Sequence, residues 1–240
     1  MIFSKGNMMV SYTATKEGLA GLEAELAKVR DGLYEAQQEE HRCVIHCEKK
    51  NEGFQTSSKV QFVAQAGNFL DAGKEYHGAL QILKVIMSYE YLWINIRVKG
   101  GAYGCMSNFN RIGEGYFVSY RDPNLKKTLD VYAGVPEYLK NFTVSERDMT
   151  KYIIGTISNI DQPMTPAAKG DRSMNLYMNH LTEEMIQEER MQILRATQED
   201  IRNLAEIAEA VLACNQICVI GNEEKIDEEK EVFGEVTALF

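Results

Sequence analysis

Leu92-Trp93-Ile94-Asn95-Ile96-Arg97-Val98-Lys99-Gly100-Gly101-Ala102-Tyr103-Gly104-Cys105 is the stretch that decides the fold. Upstream of its glycines, Leu80, Ile82, Leu83, Val85, Ile86, Met87, Tyr91, Leu92, Trp93 and Ile96 set apolar side chains almost all round a helix from about Lys74 to Val98. A helix tolerates that only when most of its faces are covered. The pattern therefore predicts the central helix of the core, with Trp93 inside it. Gly100 and Gly101 end the helix, because glycine accepts the left-handed conformation of a C-cap at little steric cost. Beyond them Ala102 to Asn110 and Gly115 to Tyr120 read as strands, and the turn-prone Arg111-Ile112-Gly113-Glu114 between them predicts a β-hairpin.

Working outward, Lys59 to Gln65 alternates with the period of a half-buried strand and ends at Gly67-Asn68. Met8 to Ala14 alternates weakly, and Lys16 to Tyr34 carries Leu19, Leu22, Leu26, Val29 and Leu33 at the spacing of an amphipathic helix. Gln37 to Ser58 is polar and mixed and reads as a connector holding at most a short strand at Cys43 to His46. Residues 1–36 are thus expected as an N-terminal strand and helix, 37–58 as a connector, and 59–240 as the main part of the same single domain.

After the hairpin the chain turns helical. Asp122-Pro123-Asn124 opens one helix to about Tyr138, and Ser145 with Asp148 starts a second, which breaks at Asp161-Gln162-Pro163 and Thr165-Pro166. Asp171 to His180 and Thr182 to Leu194 follow, and Thr197 with Asp200 caps a helix striped by Ile201, Leu204, Ala208, Val211 and Leu212. A strand at Gln216 to Gly221 and a charged helix from Asn222 close the chain. Strands and helices do not alternate strictly, so the expected class is α+β, a largely antiparallel sheet with helices packed on one face.

Composition narrows the function. The chain has 240 residues and a formal net charge of −9, which argues against nucleic-acid and anionic-membrane partners. The most apolar run, Ala79 to Val98, is interrupted by Gln81, Lys84, Glu90 and Arg97, short of the roughly 18 apolar residues a membrane span needs. The opening residues lack an export signal, so cytoplasm is the default expectation. Five cysteines, an odd number, argue against a disulfide framework. Cys214 and Cys218 lie in an apolar run and read as small buried hydrophobes. His41, Cys43, His46 and Cys47 could be imagined as a metal cluster, but paired C-x-x-C spacing is missing.

Chemistry concentrates at Arg97 to Gly104. A permanent cation at a helix end, two glycines and a tyrosine at a strand start could bring guanidinium and phenol donors to one acceptor oxygen, with Gly100 and Gly101 leaving room for a substrate backbone. Simple turn chemistry explains the glycines equally well. Tyr120-Arg121-Asp122 could offer a second substrate contact, although Asp122 before Pro123 reads more simply as a helix cap.

Four blocks occur together in one order: Leu92 to Cys105, Ser119-Tyr120-Arg121-Asp122-Pro123-Asn124-Leu125, Thr165-Pro166-Ala167-Ala168-Lys169-Gly170, and Val219-Ile220-Gly221-Asn222-Glu223-Glu224-Lys225. In this the sequence, over about Lys59 to Phe240, resembles the last domain of the insulinase/pitrilysin-type zinc metallopeptidases in their presequence-protease branch. The resemblance implies a clamshell of two halves that degrades peptides in an enclosed chamber. The zinc belongs to the N-terminal half, held by H-x-x-E-H and a distant glutamate. This chain has no such motif around His41, His46, His77 or His180, so by itself it is expected to bind no metal and to be inactive. The resemblance further implies that Arg97 and Tyr103 reach across the chamber to the substrate near the scissile carbonyl, with Gly100 and Gly101 beside them. Its partners would be the peptide substrate and the N-terminal half. The rival expectation is a non-catalytic scaffold or protein-interaction module of the same fold, which has no need of the Arg97 and Tyr103 pair.

Overall fold

The computed structural model describes residues 3–35 and 48–239. Contacts between residues divide the chain into two compact units, one from Met1–Cys47 with Gln162–Ile186 and one from Glu48–Asp161 with Gln187–Phe240.

In the first unit the amphipathic stripe does form helix α1 (Lys16–Asp31), capped by Thr15, whose hydroxyl accepts from the Gly18 N–H. No residue of α1 is buried. Met8 to Ala14, expected to be strand-like, belongs to no strand; the nearby sheet-type pairing is a single bridge from Ser4 to Tyr34. Thr165 and Pro166 do not merely break the preceding helix. They start another, α6 (Pro166–Met178), with the Thr165 hydroxyl accepting from the Ala168 N–H and proline at the first turn, where its missing donor costs nothing. Gly170 is required there, since a Cβ would come within 1.8 Å of the Thr13 hydroxyl.

The second unit is built on a six-stranded sheet of order β3-β4-β2-β5-β1-β6. Its strands are β1 (Glu52–Thr56), β2 (Gln61–Asn68), β3 (Gly104–Phe109), β4 (Glu114–Asp122), β5 (Gln216–Asn222) and β6 (Glu235–Ala238). β3, β4, β2 and β5 run antiparallel as expected, with Ala64 facing Val118 on one side and Cys218 on the other. β1 and β6 add a parallel edge that the sequence reading did not contain, and β1 falls inside the expected connector. Asn51 ties this edge together: its side-chain oxygen accepts from Ile217 N–H and its carbonyl from Gly234 N–H.

One face of the sheet carries the core. Val63, Phe117, Phe109, Ile217 and Val219 point into it and meet helix α2 (Ala79–Tyr89), whose Leu80, Ile82, Leu83, Ile86 and Met87 are fully buried. Helices α3 (Lys126–Ala133) and α4 (Val135–Lys140) add Tyr132, Val135 and Leu139. Tyr132 stacks on Phe117 and donates its hydroxyl to the Val63 carbonyl. Helix α5 (Glu146–Ile160) is capped by Ser145 as expected, and α7 (Glu183–Leu194) buries Ile193. Helices α8 (Gln198–Asn203) and α9 (Ala205–Ala213) follow, α8 with a complete Thr197/Asp200 capping box. Helix α10 (Glu223–Glu228) buries Ile226. The opposite face leaves Phe62, Met106 and Ile220 exposed. The architecture is α+β with helices on one face of a mostly antiparallel sheet.

The long helix expected from Lys74 to Val98 is not continuous. α2 ends at Tyr89, Glu90 leaves helical geometry at φ −112 and ψ −97, and Trp93–Val98 winds as a π-helix. The reason is visible in the bonds: Lys99 N–H reaches back five residues to Ile94 O, and Ala102 N–H reaches six to Ile96 O. The wider turn rotates Trp93 out of the core. It is 38% exposed, which corrects the expectation that it is buried. No helix among the described residues is long and apolar enough to cross a membrane.

Candidate functional site

The π turn, the glycine step and the start of β3 together build a recess of about 460 Å³ lined by Arg97, Val98, Gly101, Ala102, Tyr103 and Arg121. A π winding sets residues four apart near one another, and the Arg97 guanidinium lies 4.5 Å from the Trp93 ring centroid, a cation–π stack. Such π turns recur at functional sites because they re-aim single side chains. The same guanidinium lies 5.6 Å from the Tyr103 ring. Tyr103 is 58% exposed and packs edge-on against Tyr120 at 5.7 Å. Among the described residues no ion pair holds Arg97, and no hydrogen bond occupies the Tyr103 hydroxyl. Both donor groups therefore face the recess with their hydrogens available.

The glycines answer first to the backbone. Gly101 sits at φ +83, and a Cβ on Gly100 would lie 2.4 Å from the Ile96 carbonyl oxygen. Neither position accepts another residue without moving the turn that joins Arg97 to Tyr103. Gly104 is constrained by a neighbour, since a Cβ there would collide with the Tyr120 ring at 2.5 Å.

Beneath the recess lies a polar anchor that the sequence reading treated as a helix cap. Asp122 is fully buried at the end of β4 and accepts from the Thr128 hydroxyl at 2.7 Å and the Asn124 N–H at 2.9 Å. Asn124 in turn donates its side-chain amide to the Gly100 carbonyl at 2.7 Å. Asp122 is thus the hub of a turn and clamps the glycine step through Asn124, while α3 begins four residues later at Lys126. Cys105 lies close by: burial first, then Asp122, push its thiol up to about 11, and the Arg97 charge pulls the other way.

Arg121, expected as part of a second substrate contact with Tyr120 and Asp122, lines the same recess as Arg97 and Tyr103. Its guanidinium lies 5.5 Å from the Tyr103 ring, and its carbonyl accepts from the Tyr103 N–H. The signal for it in the sequence is weak, an arginine one residue before a buried acid at a strand end.

Among the described residues, metal ligation finds no site. The sequence has no H-x-x-E-H, and among the described residues no group of three His, Cys, Asp or Glu side chains could share an ion. The candidate set His41, Cys43, His46 and Cys47 lies outside the described residues. Cys214 is committed to the Asn68 and Ala210 carbonyls, and Cys105, Cys214 and Cys218 are free thiols.

Solved structures share this α+β fold. A peptidase M16 inactive domain from Pseudomonas fluorescens superposes with a TM-score of 0.54 at 19% identity, over 84% of this chain and 50% of that one. Pitrilysin superposes at 0.56 and 14% identity, over 86% of this chain and 23% of that one. The family model for the PreP C-terminal domain matches residues 51–223, and the chain belongs to that family. Its relatives include Protein HypA of Clostridium perfringens, 42% identical over 239 residues, covering 100% of this chain and 25% of that protein. Presequence protease 1, chloroplastic/mitochondrial, of Arabidopsis thaliana is 32% identical over 232 residues, covering 94% and 21%. The chain thus spans about a quarter or less of the length of these relatives.

Proposed function

We propose that this chain is the C-terminal, non-metal-binding part of a larger zinc-dependent endopeptidase that degrades peptides in an enclosed chamber, and that Arg97 and Tyr103 contact the substrate near the bond being cleaved. The observation that carries the reading is the pair itself: a guanidinium stacked on Trp93 and an exposed phenol beside it, on one recess, with no ion pair or side-chain hydrogen bond among the described residues.

When a peptide carbonyl is attacked, negative charge grows on its oxygen, and donors already aimed at that oxygen stabilise the transition state more than the ground state. The Trp93 stack and the Asn124 clamp hold Arg97 and the glycine step in place, so little ordering remains to be done when substrate arrives. Gly101, at the rim, keeps the recess low enough for an extended peptide backbone. The metal is assigned to the N-terminal half of the longer protein, because this sequence has no H-x-x-E-H and no metal-holding group is found among the described residues. That half and the peptide are the proposed partners.

The test uses the complete peptidase. Arg97→Ala and Tyr103→Phe are each expected to lower peptide turnover by about 10²–10³-fold, as removal of an oxyanion donor does. Turnover unchanged in both variants would leave the pair structural and favour a scaffold role for the domain.

A further inference from the structure

Arg121 stands in a backbone conformation that arginine seldom adopts, at φ +48. The strand register gives the cause. From Gln61 to Val63 β2 advances two residues, while opposite them β4 runs from Asp122 back to Ser119, three residues. The extra residue makes a β-bulge at Tyr120–Arg121, a device that bends a strand and re-aims its side chains. Both residues of the bulge close on Tyr103, the exposed phenol just ahead of β3. The Arg121 guanidinium lies 5.5 Å from the Tyr103 ring centroid, within cation–π range, and the Tyr120 ring meets the same ring edge-on at 5.7 Å. Gly104 leaves room for the Tyr120 ring, which a Cβ there would strike. The backbone adds a third tie, the Tyr103 N–H donating to the Arg121 carbonyl. Among the described residues no carboxylate forms an ion pair with Arg121, so nothing draws its guanidinium away from the ring.

We infer that Arg121 is a positioning residue: from its bulge it fixes the Tyr103 ring so that the phenol hydroxyl stands where the substrate carbonyl arrives, without itself touching substrate. The inference rests on the peptidase reading of Tyr103 and adds how that hydroxyl is aimed. Tyr103 is 58% exposed, and a side chain so open to solvent has few packed neighbours to select one rotamer. A donor that samples several positions stabilises a transition state only while it is in place. Two ring contacts and one backbone bond, all from a single bulge, supply the missing restraint. The left-handed arginine agrees with this, because backbone strain of that kind persists where the surrounding structure holds it, and it clusters at functional sites.

The experiment measures kcat and KM of the complete peptidase on one peptide for wild type, Arg121→Asn, Arg121→Gly, Tyr103→Phe and the double variant Arg121→Asn/Tyr103→Phe. Asparagine and glycine both remove the cation and both suit the left-handed backbone, so neither melting temperature is expected to fall by more than about 2 °C. In both single Arg121 variants kcat is expected to fall by about tenfold while KM changes by less than about twofold, the pattern of a misplaced transition-state contact. In the Tyr103→Phe background the hydroxyl to be aimed is gone, so adding Arg121→Asn is expected to slow turnover by less than about a further twofold. A direct substrate contact by Arg121 would instead make the two losses multiply. Multiplied losses, an Arg121 effect carried by KM, or an unchanged kcat in both Arg121 variants while Tyr103→Phe slows turnover would each overturn the inference and leave the peptidase reading standing. Unchanged turnover in Tyr103→Phe itself would overturn that reading, and the inference with it.

Discussion

Asp122 shows how much of the site depends on groups that never reach the surface. It is a buried carboxylate accepting from Thr128 Oγ1, from Asn124 N–H and, at longer range, from the Asn124 side-chain amide, which also holds the Gly100 carbonyl. Asp122→Ala would leave those donors unsatisfied in the interior and is expected to cost about 2–4 kcal/mol, measured by denaturant unfolding. Asn124→Ala removes the side-chain bond to the Gly100 carbonyl and a longer one to Asp122, and is expected to cost about 1 kcal/mol, yet it frees the step between Arg97 and Tyr103. Its turnover in the complete peptidase is expected to fall further than its stability explains. The raised pKa of Cys105 gives a check by pH. With the thiol held protonated to about 11, the thiolate is scarce in the folded protein at neutral pH, and alkylation of Cys105 is expected to be slow there. Alkylation at the rate of an unfolded cysteine near neutral pH would contradict the burial seen here. At this scale the sequence was partly legible. Arg97 and Tyr103 were found because cation, glycines and phenol are adjacent in the chain. Trp93 is expected in the core because an apolar residue in an apolar helix gives no sign that the winding changes, and Arg121 is legible only as part of a weaker second contact because a bulge is set by the register of two strands distant in sequence.

The elements repeat the same division between local and long-range signals. α2, the hairpin of β3 and β4, α5 and the capped start of α8 were legible because periodicity, turn residues and caps are local. β1 and β6 were not, since Glu52-Gly53-Phe54-Gln55-Thr56 is short and polar and its pairings with β5 and β6 join residues far apart in the chain. Two tests belong here. Leu83→Ala and Ile86→Ala remove side chains with no exposed surface from α2 and are each expected to destabilise by about 2–5 kcal/mol. Thr197→Ala removes the capping-box hydroxyl of α8 and is expected to cost about 1 kcal/mol. Burial pushes the Asp200 carboxyl up, but hydrogen bonds from the Thr197 hydroxyl and backbone outweigh it and hold the pKa below its ordinary value. A carboxylate depressed in the folded state stabilises above its unfolded pKa, and that contribution is lost as pH falls through the folded value. The difference between wild type and Thr197→Ala is therefore expected to be full at neutral pH and to shrink under acid unfolding, below about pH 4. A difference that stayed constant to low pH would show that Asp200 takes no part in the cap.

The whole chain reads as one part of a larger machine. It belongs to the PreP C-terminal domain family, spans about a quarter or less of its relatives, and carries an open recess with, among the described residues, no group that could hold a metal. On the proposed reading it supplies substrate contacts, and the hydrolytic centre lies elsewhere in the longer protein. The fold class was legible from the order of strands and helices, whereas the division into two units was not, because it depends on which distant segments pack together. The central claim is that Arg97 and Tyr103 act on the transition state more than on the bound peptide. The most direct measurement compares, in the complete peptidase, single-turnover cleavage with peptide affinity determined separately on the metal-depleted protein, for wild type, Arg97→Ala and Tyr103→Phe. Cleavage is expected to fall by about 10²–10³-fold in each variant while the dissociation constant changes by less than about tenfold. Cleavage that falls only in proportion to affinity, or does not fall at all, would contradict it.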